Sequence, residues 1–246
     1  MLVTHARVET TLTLRHGEQV LLTLLIPIAL LVGLSMLNVL PADDLVAADG
    51  SAVSKVDWMT PRILALAVMS SAFTGQAIAL GFDRRYGVLK RLSATALPRW
   101  LLVAGRVIAA LVVVALQVAV LGGVAALLGW TPTASGVLMA IALLVVGTVS
   151  FGSLGVLLGG SLRAEAVLAL ANIVWFVLLL AGGILLAPDT LPGGLADVVV
   201  LLPSGALAEG LRAALVDGSV AWGALGVLAA WAAAAGALAT RTTKLT

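Results

Sequence analysis

The chain has no cysteine, and only 11% of its 246 residues are charged. The first absence excludes disulfides and thiolate chemistry. The second excludes an ordinary soluble domain, in which about a quarter of residues carry charge. Histidine occurs only as His5 and His16, so there is no metal-spaced cluster. Aromatics are 4% of the chain and tyrosine occurs once. Neither a GxxxxGK[ST] phosphate loop nor a serine nucleophile elbow is present. The chain is therefore expected to bind no cofactor and to catalyse nothing itself, and no nucleic-acid partner is expected.

What remains is apolar. Hydrophobic residues make up 61% of the chain, with a mean hydropathy of +1.16. A soluble core cannot absorb that much apolar side chain, so the solvent is lipid. The runs are continuous rather than alternating, which excludes a barrel and predicts helices. The expected fold class is an all-α integral membrane protein forming a single transmembrane domain over residues 1–246. Six runs reach the roughly 20 residues a span needs: 20–40, 61–82, 100–130, 135–162, 166–187 and 220–239. The third is about 45 Å long at 1.5 Å per residue. Trp100 and Trp130 bracket it, as interfacial indoles do. The first run is longer than a signal-peptide core of about 7–15 residues, so no cleavage is expected.

Basic residues set the orientation. With both termini on one side, that side holds Arg7, Arg15, Arg84, Arg85, Lys90, Arg91, Arg99, Arg106, Arg163, Arg241 and Lys244, eleven of the fourteen. The other side holds Lys55, Arg62 and Arg212, with eight of the twelve acids. The positive-inside rule then predicts a multi-pass protein with both termini in the cytoplasm.

Three stretches are not spans. Residues 1–19, with Val8 and Leu12 four apart and Arg7, Arg15 and Glu18 turned to water, predict a short helix in the membrane interface. The outer loop before the second span is acidic and carries Asp49-Gly50, a turn signal. Residues 188–218 contain an apolar stretch too short to cross. Pro203 breaks it, and Ser204 is expected to cap a second short helix. There Leu207, Leu211 and Leu215 share a face, and Glu209 and Arg212 are three apart, at pairing distance. This outer segment is expected to dip into the outer leaflet and return.

No acid or base lies deep within a run, which argues against a proton relay or an ion-coupled carrier. The deep polar groups are neutral, and Ser35, Ser70, Thr74, Gln76 and Asn172 are the candidates to line a substrate pathway. Ser70 and Thr74 lie one turn apart. Ser71, Gln117, Thr148, Ser150 and Ser153 are further neutral groups whose simplest role is hydrogen bonding between helices. Gly155 and Gly159 form a GxxxG pair, a weak dimerisation signal, and Gly122-Gly123 and Gly182-Gly183 are doublets that permit close approach or bending.

The cytoplasmic loop over 83–99 reads DRRYGVLKRLSATALPR. Its basic residues attract anionic lipid heads, each worth about 1 kcal/mol. It also has pattern: Tyr86, Leu89 and Leu92 recur every three residues, with Arg84, Arg85 and Arg91 free to face other directions, Gly87 interrupting, and Pro98 ending the stretch. A short amphipathic helix of this kind fits a groove on a soluble protein.

That loop, the proline-led LLPSGALAEGLRAALVDG over 201–218, the six runs and the amphipathic start together resemble the permeases of type-2 ATP-binding-cassette (ABC) transporters, in particular the drug-exporter branch. The resemblance spans essentially the whole chain. It implies that residues 84–92 form a coupling helix seated on a nucleotide-binding ATPase subunit, with Asp83, Arg84, Arg85, Tyr86, Gly87, Leu89, Lys90, Arg91 and Leu92 as the coupling residues. The family's acidic residue before the glycine is replaced by Arg85 and Tyr86, and its Thr-Pro is loosened to Thr95-Ala96-Leu97-Pro98. The resemblance further implies two permease chains, alike or sister chains, in the plasma membrane. ATP and Mg would be held on the ATPase subunits, and spans one, two and five would line the pathway. Pro203, Glu209 and Arg212 would mark the outer re-entrant segment. Few aromatics disfavour a polysaccharide cargo and the lack of intramembrane histidine disfavours haem, which leaves a hydrophobic or amphipathic cargo, a lipid or a drug. A non-transporting membrane scaffold is the alternative.

Overall fold

The structure, a computed structural model, describes residues 17–36, 45–88, 99–185 and 194–242. The regular elements among them are helices: α1 (Gly17–Met36), α2 (Lys55–Arg85), α3 (Arg99–Leu127), α4 (Val137–Ser161), α5 (Ala164–Ala181), α6 (Leu195–Leu201), α7 (Pro203–Leu215) and α8 (Trp222–Thr242). Helices α2 to α5 and α8 are each long and apolar enough to cross a bilayer. The 20 residues of α1 rise about 30 Å. α6 and α7 meet at an 87° bend. The expected all-α membrane class is what the chain adopts. The expected interfacial helix lies outside the described residues up to residue 16, and Gly17 to Gln19 already belong to α1.

Several boundaries differ from the hydropathy reading for local reasons. α2 starts at Lys55 rather than Pro61 because Ser54 caps it: its hydroxyl accepts from the Asp57 amide at 3.1 Å and donates to the Asp57 carboxylate at 2.6 Å. Before it, a turn at Asp49-Gly50 is closed by an antiparallel bridge between Val46 and Ala52, with Gly50 at φ 81°. α5 stops at Ala181, earlier than expected, because Gly182 ends it and Gly183 turns left-handed at φ 81°. That doublet terminates the helix instead of bending it. Ser204 is not the cap of α7. Leu202 holds the cap position and Pro203 the first helical one, where its missing N–H costs nothing. The Ser204 hydroxyl is buried without a hydrogen-bond partner.

α2 is the core of the molecule. Within its apolar window 72% of residues are buried, against 17% for α5 and for α8. α4 lies against it and α8 runs along α4. The GxxxG pair sits in this contact. A Cβ on Gly155 would come within 2.6 Å of the Phe73 carbonyl, and one on Gly159 within 2.5 Å of the Ala77 carbonyl. The pattern therefore serves close approach of two helices within one chain rather than a contact between chains. Leu207 and Leu211 of α7 are fully buried, Leu215 nearly so, and Gly147 of α4 makes room for Leu207.

Candidate functional site

The end of α2 that the positive-inside rule expects in the cytoplasm, its inner end, gathers three neighbours through three consecutive side chains. Asp83 pairs with Arg106 of α3, whose side chain is buried. Arg84 Nη1 donates to the carbonyls of Gly159 at 3.2 Å and Leu162 at 2.9 Å. Those are carbonyls at the C-terminus of α4, which lack partners within their own helix and carry the negative end of its dipole. Arg85 Nη1 pairs with Glu165 Oε1 in the first turn of α5 at 2.5 Å. α2 then stops. The Gly87 amide donates to the Arg84 carbonyl at 3.1 Å with Gly87 at φ 71°, and Tyr86 stacks on Phe82 with ring centroids 6.1 Å apart. Arg84 and Arg85 thus form the last turn of α2 rather than the start of a separate surface helix. Tyr86 is exposed, as is Val88. Leu89, Lys90, Arg91 and Leu92 lie outside the described residues.

Midway along α2, Met69–Gly75 is a π-helical segment. Such segments are uncommon and recur at functional sites. Its adjacent serines reach different helices. Ser70 Oγ accepts from the Trp175 indole of α5 at 2.9 Å. Ser71 Oγ donates to Gln117 Oε1 of α3 at 2.8 Å, and Gln117 is fully buried. Gln117 Nε2 in turn reaches the Thr23 carbonyl of α1 at 3.5 Å. Pro27, four residues on, has no N–H to offer that carbonyl, so the interhelical bond takes its place. Thr74 and Ser35 have buried hydroxyls with no hydrogen-bond partner. Gln76 is buried beside Gly155. Asn172 stands apart: it is exposed and donates to the Leu168 carbonyl of its own helix at 2.8 Å.

At the opposite end of α2, expected to be the outer one, Glu209 bridges two arginines. Arg62 of α2 donates to its Oε1 at 2.8 Å and Arg212 to its Oε2 at 2.8 Å. Arg212 also pairs with Asp217 at 3.0 Å, and Asp217 accepts from the Ala48 amide at 3.0 Å. Arg62 lies over the Trp58 ring, 3.7 Å from its centroid. Asp57 accepts from the Thr131 amide at 2.7 Å, tying in the α3–α4 turn. Thr133 closes the assembly through its amide to Leu215 O and its hydroxyl to Val216 O, each at 2.9 Å.

Charge is thus gathered at the two ends of α2, with neutral polar side chains between them. A family model described as ABC-2 type transporter matches residues 6–216. The chain belongs to the ABC-2 type transporter family. No curated protein and no solved structure matches it. The match takes in α1 through α7, with both charged ends and the π segment, and leaves out α8. As an ABC-2 membrane domain, the chain is a permease subunit. Such permeases work with a nucleotide-binding ATPase and are not ATPases themselves.

Within this ABC-2 permease, the pairing of Glu209 with Arg212 follows the expected spacing of three. The partners of Arg62, Asp83, Arg84 and Arg85 were not legible, because they lie 147, 23, 75 to 78 and 80 residues away. Arg62 and Arg106 also differ from their expected setting at the membrane surface. Both side chains are buried, Arg62 to 2% exposure, and carboxylates on neighbouring helices face them.

Proposed function

We propose that the chain is the membrane half of an ABC exporter that moves a hydrophobic or amphipathic molecule, a drug or a lipid, out of the cytoplasm or inner leaflet of the plasma membrane. The observation that carries this reading is the family match across residues 6–216, which takes in the cytoplasmic loop, the polar seam and the bent outer pair together. ATP and Mg are held on the partner subunit, and the loop beginning at Asp83 carries its motion to the helices. Both termini face the cytoplasm, a reading supported by the eleven of fourteen basic residues that fall on that side. Two permease chains frame the pathway. The exposed apolar side of α5, with Ile173, Phe176 and Val177 more than half exposed, is available to lipid or to the second permease.

The cargo class follows from the seam. Its polar groups are hydroxyls and amides: Ser71 bonds Gln117 and Ser70 takes the Trp175 indole, while the hydroxyls of Ser35, Thr74 and Ser150 are left over. A passage with so few polar groups and one tyrosine in the whole chain suits an apolar cargo with a small polar part. The test is a gentle-detergent purification of the tagged chain with mass spectrometry of what accompanies it. A stoichiometric ATPase subunit, together with ATP-dependent movement of a fluorescent phospholipid or a lipophilic dye in proteoliposomes, supports the proposal. A chain that emerges alone and moves neither probe moves the reading to a membrane scaffold.

A further inference from the structure

The three consecutive charges at the base of the cytoplasmic loop do not share one fate as a docking patch would require. Successive helical residues point about 100° apart. Asp83, Arg84 and Arg85 therefore sweep across roughly 200° of α2 and meet three different helices. Each meets a group of fitting chemistry: a guanidinium on α3, orphan carbonyls at the end of α4, and a carboxylate at the start of α5. Just above them, Gly155 and Gly159 hold α4 against α2 with no room for a Cβ, and a Cβ on Gly81 would already press on Val167 of α5 at 3.3 Å.

We propose that Asp83, Arg84 and Arg85 are positioning residues that clasp the root of the loop to α3, α4 and α5, so that the cytoplasmic ends of these four helices move as one body. This rests on the reading of the loop as ATPase-driven, and it changes what these side chains do there. They transmit force inside the permease, and the surface left for the ATPase begins at the exposed Tyr86 and Val88. Without the clasp, a push on the loop would bend the last turn of α2. With it, the push reaches the α4–α5 turn directly.

The absence of cysteine makes spin labelling simple. Labels at Val88→Cys and Leu162→Cys, both exposed positions, report the distance between the loop root and the α4–α5 turn. In nanodiscs, with the ATPase subunit bound, the expected result is one narrow distance that ATP with vanadate leaves unchanged. Arg85→Glu is expected to lose the single narrow distance, and Arg85→Glu with Glu165→Arg to regain it. The pair is largely exposed, with side chains at 52% and 68%, so neither change opens the core. Arg84→Ala should broaden the distribution as well, while Arg84→Lys, still able to donate to the α4 carbonyls, should keep it narrow. A distance that shifts with nucleotide, or a swap that leaves the distribution broad, overturns the proposal. So does loss of ATPase binding in Arg85→Glu that the swap does not repair, since that places Arg85 against the ATPase. If the wild-type chain captures no ATPase subunit, the partner reading fails. The width comparison made on the permease alone still decides the clasp.

Discussion

The two ends of α2 are both held by charge, and they are held differently. At the outer end one carboxylate, Glu209, serves two guanidiniums, and Asp217 extends the chain to the outer loop. The side chains of Arg62 and Asp217 are 2% and 7% exposed there. At the inner end three links run separately to three helices, and the Arg85–Glu165 pair stands largely in water. Glu209 is only half-buried, but the Arg62 guanidinium it serves is buried and cannot lose its carboxylate without being stranded in low dielectric. The inner links divide the work among three partners, from the buried Arg106 to the exposed Glu165, so each is held at a different cost. The outer end is thus built as a fixed joint between α2 and α7 that rests on one carboxylate, and the inner end as a clasp whose outermost link adds little stability while keeping the helix ends in step.

The largest effect should come from breaking the fixed joint. Glu209→Gln keeps the shape but leaves Arg62 and Arg212 facing a neutral amide. Removing one partner of a buried pair costs about 3–5 kcal/mol. Thermal unfolding in detergent should show a large drop in Tm, and α7 should become accessible to protease first. A drop no greater than that of an exposed pair would erase the distinction between the ends.

The middle of α2 sharpens the same contrast, because it is held by shape as well as by polar bonds. Gly155→Val places a side chain where the Phe73 carbonyl lies 2.6 Å from the Cβ position. Overpacking of this kind costs about 1–3 kcal/mol, and the loss should appear as reduced Tm with α4 displaced from the π segment. Gln117→Leu removes the relay from Ser71 to the Thr23 carbonyl. Hydrogen bonds between membrane helices are worth about 0.6–2 kcal/mol, so a smaller fall in Tm is expected. A change in which cargo is moved would show that the seam is part of the passage and not only glue.

Much of this architecture was legible from composition. Continuous apolar runs dictate helices in lipid, and the Pro203 break and the Glu209–Arg212 spacing point to the bent outer pair. The charge partners were not, because a sequence lists charges without saying which helices stand side by side. Arg62 reads as a surface base until α7 is seen to bring Glu209 against it. The GxxxG pair reads as a dimer signal until α2 is seen to fill it. The π segment has no sequence signature beyond a cluster of Ser, Ser and Thr. The Ser54-x-x-Asp57 cap was a readable signal, since a hydroxyl followed three residues later by an acid marks a helix start. Reading it would have placed the beginning of α2 correctly.

The smallest expected effect on stability completes the comparison. Arg85→Ala removes a pair whose two side chains are 52% and 68% exposed. Such pairs contribute about 0–1 kcal/mol, and salt screens them further. Tm should therefore change little, and less still at high ionic strength, whereas the drop caused by Glu209→Gln should persist in salt because the Arg62 charge facing the neutral amide is buried. Differential scanning of both variants across a salt series checks this. If Arg85→Ala leaves Tm intact yet weakens ATP-driven movement of a lipid probe, the inner pair is kept for the transmission of motion. If it lowers Tm as far as Glu209→Gln does, the two ends are alike and the inner joint is as fixed as the outer.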